Sequence, residues 1–489
     1  MRHLSKHTKT SIILITALVL IFGSIGIYKY QKIRVFDKIL YTKLYTNLEH
    51  EGENFKSQKD LRNYITNWAD TNSLKYKVDD NGNIIFRQKA SSRKKHVTPT
   101  VIVVSYNYEN AVANRKVLSS AAIIAYTKLE SGQKTVIFVN NKNNDGSSYL
   151  NIDPAYIPDK SKVIYLDYGK APYVSSRSFR QEDSVVKVIA NREPLTCDTA
   201  IRITIGGIRS DVIDTNVSKH VNPISLFSTV LTRLKSKSTI CQLADIKVNN
   251  RGYMFPTELS ATILVNSYAV DSLTNYLNKR IKTFDKSVKE KNPDAYYNYK
   301  VLEEESKYFP EDAYDRNTFN SLTTILYALK NGVYRYNDED VIPEGYDENA
   351  IYGINCVRQL VAEDDAIYID ITSQAADRSA MKKVKKDNSA ASALAGCTIT
   401  TVDKLPQFNN KKSGLINTLK STYFKVNDLA GDNVTLHELY DTYFTPMTYL
   451  YSVNPSADIV HIKESSDSAS VLTNMLLCYI ETKGNFLSL

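Results

Sequence analysis

Apolar residues along the chain fall into two alternating rhythms. In "SQKDLRNYITNWADTN" (57–72), Leu61, Ile65 and Trp68 recur at helical spacing, and Ser57 with Asp60 forms a capping-box pattern at its head. "YKVDDNGNIIFR" (76–87) sets two extended arms around Asn81-Gly82, the signal of a hairpin. "TVIVVSYNYEN" (100–110) predicts a buried strand and "NRKVLSSAAIIAYTKLE" (114–130) an amphipathic helix. "KTVIFVNN" and "SKVIYLDYG" (161–169) predict two further strands. Strands that alternate with helices predict a mainly parallel sheet with helices on both faces.

Near residue 197 the rhythm changes. "AIRITIGGI", a helix over "HVNPISLFSTVLTRLKS", the strands "LADIKVNN" and "ELSATILVNS", and the long helix "AVDSLTNYLNKRIKTFDKSVKE" make a β-α-β-β-α run, the pattern of a ferredoxin-like α+β unit. "DDAIYIDITSQ" extends it with another alternating strand. After "DKLPQFNNK" the chain returns to a helix (413–425), the strand "NVTL", a helix, the strand "ADIVHI" and a last helix (466–482). The predicted architecture is a discontinuous α/β domain (51–196 and 386–489) with an inserted α+β lid or dimerisation domain (197–385).

The N-terminus adds a different element. A short basic tail (1–10) precedes "SIILITALVLIFGSIGIY" (11–28), which is uncharged and just long enough to span a bilayer. Its exit lacks an A-x-A-like cleavage site, so it predicts an uncleaved transmembrane signal-anchor, followed by a juxtamembrane segment (29–50). Basic residues flank it on both sides, so charge does not set its orientation. The expected location is single-pass in the plasma membrane with the bulk of the chain extracytoplasmic, because exported proteins usually begin with a leading apolar segment after a short basic tail.

The length of 489 residues fits two or three domains, and 43% hydrophobic residues supply a large core. The net charge of +9 draws on the N-terminus and on "RQKASSRKKH" (87–96) and "MKKVKKDN" (381–388). Such runs suit anionic lipid or wall polymer, but a charge run is more often a solvated loop. No nucleic-acid motif accompanies them, so nucleic acid is not an expected partner. The 5 cysteines form no CxxC pair and no framework of spaced pairs.

The order of elements and several short motifs resemble the di-zinc metallopeptidases of the aminoacylase, carboxypeptidase G and tripeptidase T family, closest to the aminoacyl-histidine dipeptidase (carnosinase-like) branch. "DDNGNIIF" is similar to the family's D-x-x-G-N-v hairpin, and "GIRSDVI…HVNP" to its G-H-S-G-x-x-I and N-A lid motifs. "YMFPTELSA" resembles N-A-I-P-x-E-A, "LKNGVYRYNDEDVIPEG" the branch's L-P-N-G-V segment, and "DRSAMKK" its R-S-S segment. The resemblance implies a peptidase with two zinc ions bridged by an Asp and by water. It also implies where the ligands should be, and there this chain departs from the pattern.

The H-x-D motif falls on Ser105-Tyr106-Asn107-Tyr108, and the bridging Asp on Asn114. The E-E pair, general base and ligand, falls on Asn143-Asn144, with Asp145 as a ligand only after a one-residue slip. Asp167 in "VIYLDYG" and His461 in "DIVHIKESS" match the next and last ligands. Arg209 replaces the lid His, Tyr253 the lid Asn, and Arg378 matches the Arg of R-S-S. His437 and Asp441 resemble the H-A-G-L-E segment with Glu shortened to Asp.

Amides bring no charge to a dication, and zinc needs about three protein ligands per catalytic ion. The lost base alone is worth roughly 10²–10⁴ in rate. The expectation is therefore a non-catalytic pseudopeptidase, with no catalytic residue and no cofactor expected, and Asp167 and His461 as vestigial ligands. Tyr106, Tyr108, Asn114, Asn143, Asn144, Arg209, Tyr253, Arg378 and His437 are candidate residues of a binding cleft. A peptide, a cell-wall component or a membrane protein are the candidate partners, with a homodimer through the lid. The alternatives are an active dipeptidase or aminopeptidase-type metallohydrolase, with zinc on an unorthodox site of Asp145, Asp167, His437 and His461, and a structural subunit with a collapsed cleft.

Overall fold

The computed structural model describes Thr16 and residues 38–89, 98–129, 132–142, 146–169, 172–208, 221–250, 255–290, 292–336, 350–410, 413–430, 436–465 and 469–484. All of the apolar stretch 11–28 except Thr16 therefore lies outside the described residues, as do Asn143, Asn144, Asp145, Arg209 and Tyr253. Among the described residues, no helix is long and apolar enough to cross a membrane.

The chain opens with helices α1 (Lys38–Glu51) and α2 (Gln58–Thr71). Ser57 caps α2, its hydroxyl accepting the Asp60 N–H. The hairpin β1 (Tyr76–Val78) and β2 (Ile84–Gln88) leads to β3 (Thr100–Tyr106), α3 (Arg115–Tyr126), β4 (Lys134–Asn140), β5 (Lys162–Tyr168) and β6 (Tyr173–Ser175). The chain then passes into a second sheet through β7 (Arg180–Ile189), the short β8 (Arg192–Pro194) and β9 (Thr199–Gly206). It continues through α4 (Pro223–Ser236), β10 (Cys241–Asn249), β11 (Glu258–Val265), α5 (Ser267–Phe284), β12 (Tyr296–Val301) and β13 (Asp312–Tyr314). Helix α6 (Arg316–Ala328), β14 (Gly332–Arg335), β15 (Ile351–Ala362), β16 (Ala366–Ala375), α7 (Arg378–Leu394) and β17 (Thr398–Leu405) complete that unit. The return consists of α8 (Gly414–Ala430), β18 (His437–Glu438), α9 (Met447–Val453), β19 (Asp458–Glu464) and α10 (Ala469–Gly484).

The first sheet runs β1-β2-β4-β3-β5-β19-β6-β18. Its centre, β4-β3-β5-β19, is parallel, with an antiparallel hairpin on one flank. Period-2 alternation sorts its side chains. Ile102, Val104, Ile164, Leu166, Val460 and Ile462 pack under the helices α1, α2, α3, α8 and α10. Val101, Val103, Val163, Tyr165 and Ile459 pack on the opposite face, against Tyr149, Met447 and Leu450. Lys134 is buried at the start of β4, and its ammonium donates to the Ile124 and Thr127 carbonyls at the C-terminus of α3. Burial pushes its pKa down to about 7.

The second sheet runs β12-β9-β11-β10-β15-β16-β7-β17, with β14 paired to β15 off that path, and neighbouring strands antiparallel. The unit β9-α4-β10-β11-α5-β12 gives strand order β12-β9-β11-β10, the ferredoxin-like arrangement expected from the β-α-β-β-α pattern. Sheet membership makes this unit wider than the expected 197–385: β7 and β17 both belong to it, so it extends from Arg180 to Leu405. The basic run 381–388 lies on α7, where Met381, Val384 and Asn388 are buried and Lys382, Lys383 and Lys386 are exposed. Lys385 pairs with Glu182 at 2.8 Å. The run is the solvated face of a packed helix rather than a loop.

The hairpin turn needs its glycine. Gly82 has φ +81, and a Cβ there would lie 2.7 Å from Asn140 Nδ2, which donates to the Asn81 carbonyl. Gly82→Ala is expected to lower unfolding free energy by about 1–2 kcal/mol, the cost of a left-handed backbone with a Cβ, measured as a reduced urea midpoint with unchanged slope. An unchanged midpoint would mean that the turn is not built this way.

Candidate functional site

The carboxyl end of the parallel strands is where open α/β sheets place ligands. On the face away from the large helices, β5 presents Tyr165 and Asp167, and β19 presents His461 and Lys463. In the parallel register His461 lies opposite Tyr165, and Lys463 opposite Asp167. On the other side of β19, the antiparallel β6 brings Tyr173 opposite Lys463 and Ser175 opposite His461. The loop after β18 adds Asp441 and Tyr443.

His461 is fully buried. Its Nδ1 lies 2.9 and 3.0 Å from the two carboxylate oxygens of Asp441. Asp441 also accepts the Tyr173 hydroxyl at 2.7 Å. Its backbone N–H donates to Ser175 Oγ and the Arg177 carbonyl. A carboxylate on Nδ1 fixes the tautomer with hydrogen on that nitrogen and leaves the Nε2 lone pair free. Nε2 has no hydrogen-bond partner among the described residues, and the nearest carboxylate oxygen, Asp167 Oδ2, is 4.0 Å away. Tyr165 stacks on the imidazole with centroids 4.8 Å apart, and Tyr173 meets it edge-on at 5.8 Å.

Lys463 completes the group. It is 5% exposed, and its ammonium donates to the Tyr443 hydroxyl at 2.8 Å. It lies 4.7 Å from the Tyr443 ring centroid and 5.9 Å from that of Tyr173. Burial, with Asp167 and Asp441 nearby, holds the Tyr165, Tyr173 and Tyr443 hydroxyls well above the ordinary tyrosine range. All three phenols therefore stay protonated.

The other candidate residues fall elsewhere. Tyr106 is not a cleft aromatic: alternation turns it to the helix-covered face, where it is fully buried and donates to the Gly82 carbonyl at 2.6 Å. Asn107 is spent internally, its amide donating to the Asn141 carbonyl at 2.8 Å. Tyr108 is half-buried in a short 3-10 turn, with its hydroxyl on Glu109. Asn114 stands at the head of α3, and its carbonyl accepts the Leu118 N–H. His437 is exposed on β18, beside Tyr173 in register but pointing to solvent. Arg378 is exposed at the first position of α7 in the second unit. The structure thus brings together Asp167, His461 and Asp441.

Sequence reasoning passed over Tyr165, Tyr173, Tyr443 and Lys463. The signal was present: in "VIYLDYG" and "DIVHIKE", period 2 sets Tyr165 on the face of Asp167 and Lys463 on the face of His461.

A pair of zinc ions, which the motif resemblance implies, does not fit the described residues. Asp167 and His461 are 4.0 Å apart. Tetrahedral zinc ligands at about 2.0–2.1 Å would stand about 3.3–3.4 Å apart, so these two could approach one ion. Among the described residues, no group of three or more His, Cys, Asp or Glu is placed to hold a metal. A buried ammonium on the same face opposes a dication.

No protein-family model matches the chain. No curated protein matches it either. Its fold is similar to that of the aminoacylhistidine dipeptidase of Vibrio alginolyticus, at 12% identity and TM-score 0.51, covering 92% of this chain and 98% of that one. A tripeptidase of Staphylococcus aureus (7% identity, TM-score 0.46, covering 92% and 99%) also matches. So does the di-peptidase Dug1p of Saccharomyces cerevisiae (8% identity, TM-score 0.45, covering 94% and 98%). The Vibrio alginolyticus enzyme, at TM-score 0.51, shares the fold with this chain, and at 12% identity the likeness is one of fold alone.

Proposed function

We propose, taking the dipeptidase-like fold as premise, that this chain is a pseudopeptidase: a binding or assembly protein that keeps the two-sheet architecture without the di-zinc reaction. The observation that carries this reading is the makeup of the strand ends. Around one Asp–His pair stand a buried lysine and three protonated tyrosines. The position that matches the first zinc motif is spent on internal hydrogen bonds by Tyr106 and Asn107. Peptide is the ligand class that the dipeptidase likeness suggests, with a wall component or a membrane protein as the other candidates. The apolar stretch 11–28 would anchor the chain in the plasma membrane with its body extracytoplasmic, and the second unit is the candidate dimer surface.

The test is metal content and dipeptide hydrolysis by the full chain purified in detergent. The expected result is neither stoichiometric zinc or manganese nor hydrolysis above buffer. Roughly one or two equivalents of metal together with hydrolysis would sink the reading in favour of a metallohydrolase with an unorthodox site.

A further inference from the structure

Helices α4, α5, α6 and α7 form one layer on a single face of the second sheet, because their apolar stripes enter one core with the inward residues of β9, β10, β11, β15 and β16. Phe227 of α4, Leu273 of α5, Leu322 of α6 and Ala391 of α7 all belong to that core. The outward side of such a layer must be polar, but packing does not dictate the sign of its charge. Here it is basic. The four helices and the π-helical turn that prolongs α5 (Asp285–Lys289) hold 13 Lys and Arg against 3 Asp and no Glu. Helices α4 and α6 hold no acidic residue at all. That excess of 10, 13 less 3, is larger than the net +9 of the whole chain, so the remainder is close to neutral and the asymmetry is local. Lys279, Lys282, Lys286, Lys289, Lys382 and Lys386 are exposed.

The same layer exposes bulky apolar groups. Tyr268 on α5 is 72% exposed, Tyr327 on α6 71% and Leu394 on α7 72%. Singly, such residues are ordinary on a surface; here three of them share a layer with 13 cations. A polyanion in solution would engage the cations alone. A bilayer surface also takes the phenols and the leucine, because tyrosine settles at headgroup level and basic helices with apolar side chains bind at that interface. The acidic run 337–349 joins β14 to β15 outside the described residues. Those strands adjoin α7, where Tyr334 and Tyr352 pack with Met381 and Val384. Helix α5 stands at the edge strand β12, its Phe284 ring against Tyr297, so its lysines are the ones to test.

We propose that this helical layer is a docking face for an anionic phospholipid bilayer, on which the lysines meet headgroup phosphates while Tyr268, Tyr327 and Leu394 enter the interface. The occupant is a bilayer because the apolar stretch 11–28 is of membrane-spanning length, and a chain anchored by it keeps its folded body beside that surface. This uses the anchoring part of the functional reading and does not depend on whether the strand-end site hydrolyses peptide. The contact is electrostatic in the main, so it weakens with salt and follows the anionic lipid content. Bound in this way, the body would sit on the membrane in one orientation rather than turn about its anchor.

The experiment is lysine acylation of the full chain in vesicles of phosphatidylcholine alone or with about one third phosphatidylglycerol, read residue by residue by mass spectrometry. Lys279, Lys282, Lys286 and Lys289 are expected to react about tenfold more slowly in the anionic vesicles, and high salt to restore their rates. Lys247, exposed on β10 between the inward Ile246 and Val248, is the control on the other face of the sheet and is expected to react alike in both. Replacing those four α5 lysines by glutamine leaves the buried stripe untouched and is expected to raise the rates of Lys382 and Lys386 in anionic vesicles about tenfold. Tyr268→Ser with Tyr327→Ser is expected to weaken the protection and leave its salt dependence in place. Equal rates in the two vesicles, or equal slowing at Lys247, overturn the proposal. Soluble polyphosphate that protects the α5 lysines as strongly as anionic lipid, at equal phosphate concentration, overturns the bilayer as the occupant. Release of the chain from both vesicles by alkaline carbonate overturns the anchoring reading instead. In that case flotation of the full chain with anionic but not neutral vesicles still supports this face, and flotation with neither overturns it as well.

Discussion

Asp441→Ala is expected to destabilise the chain by about 3–5 kcal/mol, the scale for removing one partner of a buried charged network. The carboxylate side chain has no exposed surface and accepts from His461 Nδ1 at 2.9 Å and from the Tyr173 hydroxyl at 2.7 Å. Truncation strands an imidazole N–H and a phenol in a site with no room for bulk water, each at a desolvation cost of about 1–3 kcal/mol. His437→Ala, a few residues earlier and exposed, is expected to stay within about ±0.5 kcal/mol. Urea unfolding followed through Trp68, the sole tryptophan, measures both. A loss below about 1 kcal/mol for Asp441→Ala would show that the dyad is not formed.

The second large effect is a pH dependence from the opposite face of the same strand end. Glu464 is 1% exposed, beneath the helices, and accepts the Ser120 hydroxyl at 2.9 Å through Oε1. Oε2 has no partner among the described residues. Burial raises its pKa from 4.5 to about 8, against smaller lowering contributions from Ser120 and Lys116. The folded state therefore keeps a proton that the unfolded chain has released. Its contribution is whole below the unfolded pKa of 4.5 and is lost as pH rises through about 8. Wild type should lose on the order of 4–5 kcal/mol relative to Glu464→Gln across that window. The glutamine keeps the acceptor for Ser120 and does not titrate. Lys134, with its lowered pKa, drives stability the other way, upward above about pH 7, but is common to both proteins and cancels in the difference. Urea midpoints between about pH 5 and about pH 8.5 give the comparison. A difference that does not change with pH would mean that Glu464 is ionised in the fold.

These residues also show what can be read from the chain. The central strands, the hairpin at Asn81-Gly82, the capped helix at Ser57 and the ferredoxin-like run were legible because each rests on local periodicity or turn chemistry. Strand β7 was missed because "RQEDSVVKVI" mixes charges into its alternation: Glu182 and Ser184 are buried there beside Val186 and Val188. The sequence predicts a charged loop at α7 because lysines dominate it, while its buried stripe of Met381, Val384 and Asn388 is thin. In the site, motif order points to Asp167, His461 and Asp441, but not to the pairing of Asp441 with His461 or to the tyrosines and lysine around them. Asp441 reaches His461 from 20 residues away in the chain, through a loop that no periodicity predicts. Tyr106 was assigned to the cleft because it ends the correct strand, but parity along that strand decides its face and puts it on the other side.

The backbone around Tyr443 carries a mechanical consequence. The Tyr443 carbonyl accepts the N–H of Phe179, in the crossing into the second sheet. The next N–H, of Phe444, donates to the Gln374 side chain on β16. The residue whose phenol receives the Lys463 ammonium is thus stitched by its main chain to the second unit. Those two main-chain bonds mean that the Tyr443 phenol takes its place from the second unit as well as from the first sheet, so substituting Gln374 would loosen a residue of the site without touching the first sheet.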